Sequence, residues 1–226
     1  MCIRDRAEYE EVTGTNPSIL RGEREPVTDV SWVDTAKFCN LLSKREGYEP
    51  AYDIQDNNVT WNEMADGYRL PTEEEWEYAA RAGTQTAWSF GDDERKIGEY
   101  AWFDMNSGGE PHPVGKKLPN PWGLFDMHGS VWEWCWDEVR SYSDVSPSVV
   151  RRALRGGSFL HDPRDLRSAD RFRVQPEYRS RDFGFRCARG SRRRPSIRGS
   201  LIKAPSTGGV GRTKAGVELL RGIAWE

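Results

Sequence analysis

Residues 119–138 constrain the possible folds of this chain more than any other part of the sequence. The stretch reads PNPWGLFDMHGSVWEWCWDE and contains four tryptophans, two glycines and four carboxylates. Each aromatic side chain can bury roughly 150–250 Å², so this stretch alone can supply a large part of a core. From Trp132 to Trp136 an aromatic residue occupies every second position, which is the period of a strand with one aromatic face. We predict an irregular, tryptophan-rich centre around which the remaining segments fold.

The composition favours a compact but loop-rich domain. The 226 residues suffice for one large domain, or for one domain and a tail. The hydrophobic fraction of 36% and the mean hydropathy of −0.80 are low, but 12% of the residues are aromatic. Because no apolar run approaches the ~20 residues of a membrane-spanning helix, we expect a soluble chain without a membrane segment.

The basic residues are concentrated near the C-terminal end. Residues 191–226 contain eight Lys or Arg and two Glu, whereas the whole chain has a net charge of −3. An acidic domain followed by a basic segment is not the pattern of a nucleic-acid-binding domain, so no nucleic-acid partner is expected. We interpret residues 191–226 as a basic tail or linker.

The first six residues, MCIRDR, match a reading frame through a sequencing adaptor, and we interpret residues 1–6 as an artefact. The domain itself then covers residues 7–190, with its natural N-terminus missing. A signal peptide would be missing with it, so cytoplasmic and periplasmic or secreted locations both stay open.

Two segments carry the signals of helix N-termini. Ser31 with Asp34 predicts a helix over residues 32–45, and Thr72 with Glu75 forms a capping box that predicts a helix ending near Gly83. Elsewhere the pattern predicts short strands.

Residues 152–159 predict a strand interrupted by glycines, and residues 166–171 and 182–189 predict two further strands. The glycine-, proline- and asparagine-bearing residues 10–29 predict a loop.

Four sequence blocks occur in a diagnostic order: RLPTEEEWEYAARAG at 69–83, NPWGLFDMHGSVWEWCWD at 120–137, RGGSF at 155–159 and GFR at 184–186. In this order they resemble the formylglycine-generating enzyme (sulfatase-modifying factor) family over about residues 12–189. The resemblance implies an α+β, C-type-lectin-like fold that is loop-rich with little regular secondary structure. The opening strands of the family are not matched, which is consistent with a divergent, N-terminally truncated member.

The resemblance also implies a specific chemistry. The type enzyme oxidises a cysteine in a Cys-X-Pro-X-Arg motif to formylglycine with Cu(I) and oxygen, and two thiolates hold the copper because Cu(I) prefers soft ligands. The corresponding positions here are His161 and Leu166, and no cysteine lies between Cys135 and Cys187. Copper binding is therefore not expected.

The substrate cleft of the family implies a second set of residues. Trp132 and Ser158 match in type, and the adjoining loop offers His161, Asp162, Arg167 and Arg171. A pair formed by His161 and Asp162 could carry general acid–base chemistry or hold a harder metal, and these two are the candidate catalytic residues. In a structural alternative, four arginines pair with Glu133 and with the glutamates of residues 73–77: Arg155, Arg167, Arg171 and Arg186.

A calcium site is implied by the same resemblance. Its ligands would be Asp126, Gly129, Val131 and Glu133. Carboxylate and carbonyl oxygens are suitable donors for Ca²⁺. In the alternative interpretation, Asp126 caps a turn and Glu133 pairs with an arginine.

Two cysteines, Cys39 and Cys187, match positions that form a disulfide in some members of the family. We expect them to lie close together, oxidised or not. Cys135 is expected to be a small buried hydrophobic residue.

Three functions stay open at this stage. The first is a family member without the copper site, acting as a ligand- or protein-binding module or as a re-purposed catalyst. The second is an active formylglycine-generating oxidase, and the third is the substrate-pocket domain of a non-haem-iron sulfoxide synthase. The partners would be a peptide, protein or small molecule in the cleft, and other domains of a larger polypeptide.

Overall fold

The structure is a computed structural model that describes residues 4–19, 22–56, 58–139 and 150–190, and the backbone of Ile223–Trp225. Residues 1–3 and nearly all of the segment interpreted as a basic tail or linker, residues 191–226, lie outside the described residues.

Helices form where the sequence supplies caps. The described ranges contain five α-helices: α1 (Arg6–Thr13), α2 (Trp32–Arg45), α3 (Glu73–Arg81), α4 (Ile97–Tyr100) and α5 (Asp104–Ser107). At the start of α2, the Ser31 hydroxyl accepts from the Asp34 N–H while the Asp34 carboxylate accepts from the Ser31 N–H. Thr72 and Glu75 make the same reciprocal pair at α3. Both predicted helix starts are confirmed.

The strands are short and belong to three small sheets. They are β1 (Tyr52–Gln55), β2 (Asn58–Trp61), β3 (Tyr68–Arg69), β4 (Trp132–Glu138), β5 (Arg152–Arg155), β6 (Arg171–Val174), β7 (Phe183–Gly184), β8 (Ala188–Gly190) and β9 (Ile223–Trp225). Strands β1 and β2 form a hairpin, a second sheet has the order β3-β8-β9, and the third has the order β6-β5-β4-β7. In the third sheet β4 pairs antiparallel with β5 and parallel with β7. The predicted loop-rich α+β fold is confirmed.

Strand β4 forms the predicted tryptophan-rich centre. The indole N–H of Trp134 donates to the Val30 carbonyl at 3.0 Å, and that of Trp32 donates to the Cys135 carbonyl at 2.9 Å. These bonds attach β4 to the segment around the start of α2. On the other face of β4, Cys135 is buried against Trp76 of α3, and burial raises the pKa of its thiol. The prediction that Cys135 is a buried hydrophobic residue is confirmed.

Three of the predicted local structures differ from the observed ones. Residues 166–171 do not form a strand, because Asp162 caps a 3₁₀ turn over Pro163–Leu166 and β6 begins only at Arg171. Residues 182–189 are divided between β7 and β8, which belong to different sheets. The predicted loop over residues 10–29 begins only after α1, which ends at Thr13 and is capped by Gly14 with a φ of 76°.

The first described residues pack into the domain. The Arg4 N–H donates to the Phe185 carbonyl at 3.1 Å, and the Val27 N–H donates to the Arg4 carbonyl at 2.9 Å. Asp5 caps α1 through the Glu8 N–H. The described fold thus includes residues 4–6, although on sequence grounds we interpret residues 1–6 as an artefact.

Candidate functional site

A tight glycine turn after β5 builds the candidate site. Gly156 and Gly157 have φ values of 97° and 75°, in the region that favours glycine. A Cβ atom on Gly157 would lie 2.6 Å from Cδ1 of Leu166, so no larger residue fits there. The turn buries Ser158 completely and directs the following loop toward the start of β7.

The hydroxyl of Ser158 lies between an imidazole and a carboxylate. Its Oγ is 2.6 Å from Nδ1 of His161 and donates to Oδ2 of Asp182 at 2.9 Å. The other oxygen of Asp182 accepts from the Ser180 hydroxyl at 2.5 Å. His161 and Asp182 themselves are 3.9 Å apart between Nδ1 and Oδ2. The serine therefore connects the two ionisable groups.

Aromatic rings border this polar group. Trp132 at the start of β4 stands edge-on to the His161 ring, with 5.5 Å between ring centroids and an angle of 80°. The ring centroid of Phe172 in β6 lies 5.7 Å from that of Trp132, and Phe172 is 45% exposed. The His161 side chain is 36% exposed, whereas Ser158 and Asp182 are buried. We call Trp132, Ser158, His161, Phe172 and Asp182 the cleft cluster.

The predicted catalytic pair of His161 and Asp162 is not formed. The Asp162 carboxylate accepts from the backbone N–H of Arg164 and from its guanidinium at 2.9 Å. The hydrogen bonds from Arg164 hold the pKa of Asp162 below its usual range. Asp162 therefore caps the 3₁₀ turn, and the carboxylate nearest to His161 in the site is Asp182.

Sequence reasoning missed Asp182, and it missed Phe172 as well. Asp182 directly precedes Phe183 of β7, two positions before the GFR block, and that proximity was the signal that could have singled it out. Phe172 lies in β6, a strand that the sequence pattern placed too early.

The two predicted cleft arginines make contacts elsewhere. Arg171 faces away from Phe172 because side chains alternate along β6, and its Nε lies 3.1 Å from Oε1 of Glu73. It lines a cavity of about 450 Å³ together with glutamates of α3 and with Arg155. Arg167 donates to the Arg164 carbonyl at 2.7 Å. The alternative interpretation, in which arginines pair within the fold, describes Arg155, Arg171 and Arg186.

His161 and Leu166, at the positions of the two copper-binding cysteines of the type enzyme, have different environments. Leu166 is fully buried among Trp88, Ile97 and Phe103, so it is a core residue. His161 is partly exposed in the cleft cluster. One imidazole and one hydrocarbon side chain do not fit Cu(I), which prefers soft thiolate or thioether ligands.

A second histidine, His128, is buried and has a structural role. Its Nε2 accepts from the Ser89 N–H at 3.2 Å, so Nδ1 carries the proton and donates to the Leu166 carbonyl at 2.8 Å. Burial lowers the pKa of His128 to about 4. His128 is therefore neutral at physiological pH, and it fixes the backbone that carries Leu166.

The two carboxylates among the predicted calcium ligands, Asp126 and Glu133, have other partners. Both oxygens of Glu133 accept from Arg186, at 2.5 and 2.7 Å, and Oε2 also accepts from the Trp76 indole at 2.6 Å. Asp126 accepts from the Gly115 N–H at 2.7 Å, and burial raises the pKa of its carboxyl. Arg186 also donates to the Asp126 carbonyl at 3.3 Å. In this arrangement the Arg186 guanidinium supplies the positive charge at Glu133.

The predicted proximity of Cys39 and Cys187 is observed. Their sulfur atoms are 3.6 Å apart, both residues are buried, and both are free thiols. Burial raises the pKa of the Cys39 thiol well above its usual value.

Within the described ranges, no group of three or more His, Cys, Asp or Glu side chains could hold a metal ion. None of the helices in these same ranges is both long enough and apolar enough to span a bilayer.

Comparison with known proteins identifies the relatives of this fold. The sequence profile of the sulfatase-modifying factor enzyme 1-like domain matches residues 4–191. The chain is 38% identical over 209 residues to the formylglycine-generating enzyme of Streptomyces coelicolor, covering 80% of this chain and 58% of that enzyme. It is 37% identical over 150 residues to the serine/threonine-protein kinase pkn1 of Chlamydia caviae, covering 58% of this chain and 23% of the kinase.

A solved structure has the same fold. The Treponema denticola variable protein 1 superimposes with a TM-score of 0.75 at 32% identity, covering 81% of this chain and 80% of that protein. The chain thus spans less than two thirds of the two curated relatives, and in the kinase relative the shared domain is one part of a much longer polypeptide.

Proposed function

The chain belongs to the sulfatase-modifying factor enzyme 1-like family, with its α+β, C-type-lectin-like fold, and we propose that it is a ligand-binding member without a copper–thiolate oxidase site. The ligand is a peptide, a protein segment or a small molecule held at the cleft cluster. In this proposal His161 is available for acid–base chemistry on the ligand, and Trp132 and Phe172 form the apolar side of the cleft.

One observation carries the proposal: the burial of Leu166 at the position of the second thiolate. Its side chain fills space between the glycine turn and the buried residues Trp88, Ile97 and Phe103, which we call the Trp88 cluster, so the position serves packing instead of metal ligation. Cu(I) would have to be held by His161 without a thiolate at position 166. A single imidazole is a poor donor set for a soft ion.

The partial exposure of Phe172 and His161 beside buried polar groups supports ligand binding. Ligand sites combine an apolar wall with a few positioned polar groups, and the cleft cluster has this composition. The names of the relatives include both an enzyme and a protein described only as variable, so family membership alone does not assign an oxidase activity to this chain. We further propose that the domain works alongside other domains, as its counterpart does in the kinase.

The test is an oxidation assay. The purified chain is loaded with Cu(I) in air and incubated with a Cys-X-Pro-X-Arg peptide, which is then analysed by mass spectrometry. The formylglycine-generating enzyme of Streptomyces coelicolor is the positive control. We expect an unmodified peptide with this chain and formylglycine with the control enzyme. Formylglycine production by this chain that is lost in His161→Ala would overturn the proposal and support an active oxidase.

Calcium at Asp126, Gly129, Val131 and Glu133 is a separate proposal that derives from the family resemblance. The ion pair between Glu133 and Arg186 argues against it. A melting experiment, described in the Discussion, decides between the ion pair and calcium.

A further inference from the structure

All hydrogen-bonding capacity of the Ser158 hydroxyl is used. Its Oγ lies 2.6 Å from Nδ1 of His161, 2.9 Å from Oδ2 of Asp182 and 3.3 Å from the backbone nitrogen of Leu160. A hydroxyl has one hydrogen and two lone pairs. The Leu160 N–H can only donate, so it takes one lone pair. The Asp182 carboxylate can only accept, so it takes the hydrogen.

The remaining lone pair of Ser158 faces Nδ1 of His161, which must therefore carry a proton. In a neutral imidazole the other nitrogen, Nε2, is then unprotonated. Within the described ranges no group hydrogen-bonds to this nitrogen, and the side chain is partly exposed.

The surroundings hold this arrangement in place. Ser180 donates to the second oxygen of Asp182 at 2.5 Å and so orients the carboxylate toward Ser158. The Trp132 ring stands edge-on to the imidazole and limits its rotation. The backbone adds a further constraint, because the Asp104 N–H donates to the His161 carbonyl at 3.2 Å.

We propose that Asp182 and Ser158 hold His161 in the tautomer protonated at Nδ1, and so present the Nε2 lone pair to the ligand. Nε2 accepts a hydrogen bond or a proton from an N–H, O–H or S–H group of that ligand. The ligand class is therefore one that carries such a polar hydrogen beside an apolar or aromatic group that packs on Phe172. This inference rests on the proposed function, because it takes the cleft cluster as the ligand site. Ser158 and Asp182 act as positioning residues.

The first test measures the tautomer directly in the ligand-free chain. Long-range proton–nitrogen NMR correlations distinguish the two imidazole nitrogens at a pH of about 8.5, where an imidazole is normally neutral. The His161 signals are assigned by their loss in His161→Gln. We expect the pattern of a protonated Nδ1 and an unprotonated Nε2, and its loss in Ser158→Ala but not in Ser158→Thr.

His128 serves as the internal control, because its tautomer is fixed by Ser89 and Leu166 and should not change in these variants. An Nε2-protonated His161 in the wild-type chain would overturn the inference. So would a Ser158→Ala variant that keeps both its His128 signals and the original His161 tautomer.

A second measurement uses the reactivity of the free nitrogen and does not require a variant. Diethyl pyrocarbonate acylates unprotonated, accessible imidazole nitrogens, and mass spectrometry of peptides identifies the modified histidine. We expect His161 to react at least several-fold faster than the buried His128. An unreactive His161 would contradict the inference. The tautomer and the reactivity can both be as expected while no ligand protects His161 from acylation. In that case the proposed function fails and the inference about the tautomer stands.

Discussion

Glu133 and Arg186 form a bidentate ion pair from which solvent is excluded. The guanidinium Nε and Nη2 lie 2.5 and 2.7 Å from the two carboxylate oxygens, and both side chains are 1% exposed. The Trp76 indole donates to the same carboxylate, and the Arg155 guanidinium lies 5.6 Å from the Trp76 ring. These four residues come one from each of the four sequence blocks that carry the family resemblance. The blocks are therefore parts of one buried polar cluster.

Arg186→Leu should be strongly destabilising, because it leaves the Glu133 carboxylate buried without its counter-ion. Breaking a buried pair in this way typically costs about 3–5 kcal/mol. The double variant Glu133→Leu/Arg186→Leu should recover part of this loss, since no charge is then left buried. Urea unfolding of wild type and of both variants measures the difference.

Arg95→Leu is the matched control, because its partner Asp93 and the pair as a whole are exposed. We expect no measurable change in the free energy of unfolding for that variant. An Arg186→Leu variant as stable as Arg95→Leu would show that the buried pair does not hold the sequence blocks together.

Leu166→Ala should destabilise the domain by about 2–5 kcal/mol, because it removes a side chain buried against the glycine turn and the Trp88 cluster. Leu160→Ala, in the same loop but 37% exposed, should cost less than about 1 kcal/mol. Urea unfolding of both variants measures the two losses in the free energy of unfolding. Equal effects would mean that Leu166 does not belong to the core.

His128 should make the domain less stable in mild acid. Its pKa is lowered from 6.5 to about 4 by burial, so the unfolded chain binds a proton that the folded chain excludes. The stabilisation is fully present above pH 6.5 and is lost as the pH falls toward 4. The free energy of unfolding changes by roughly 3 kcal/mol over this pH range. His128→Gln should lose this part of the pH dependence in unfolding experiments between pH 4 and 7, and an unchanged profile would be evidence against a neutral, buried His128.

Calcium should not stabilise this chain, because Arg186 already neutralises Glu133 and would repel a nearby divalent cation. The expected melting temperatures in calcium chloride and in EDTA are the same within error. A higher melting temperature in calcium that disappears in Glu133→Gln would instead support the calcium site implied by the family.

The parts of the fold that were predicted correctly depend on residues close in sequence. Thr72 and Glu75 are three positions apart, and their reciprocal hydrogen bonds follow from residue type and spacing. The contact of Ser158 with Asp182 spans 24 positions and depends on how two loops meet, which no local pattern specifies. Local sequence also made Asp162 a plausible partner for His161, because the two residues are adjacent. In the structure the 3₁₀ turn directs the Asp162 side chain to Arg164 instead.

The alternation of side chains along a strand explains why Arg171 does not lie in the cleft cluster, as the sequence had suggested. Arg171 is adjacent to Phe172, but on a strand that adjacency places the two residues on opposite faces. Once β6 is known to begin at Arg171, the pairing with Glu73 follows from the position of α3. The sequence alone placed the strand five residues too early and so left the orientation of Arg171 open.

Titration with Cu(I) under anaerobic conditions measures whether this chain holds copper at all. A chromophoric chelator competes for the ion, with the Streptomyces coelicolor formylglycine-generating enzyme as the positive control and His161→Ala as the matched variant. We predict that wild type and His161→Ala retain Cu(I) equally weakly, because Leu166 offers no ligand. One tightly held equivalent of Cu(I) in the wild type that is lost in His161→Ala would refute this prediction and would instead indicate a copper-dependent oxidase.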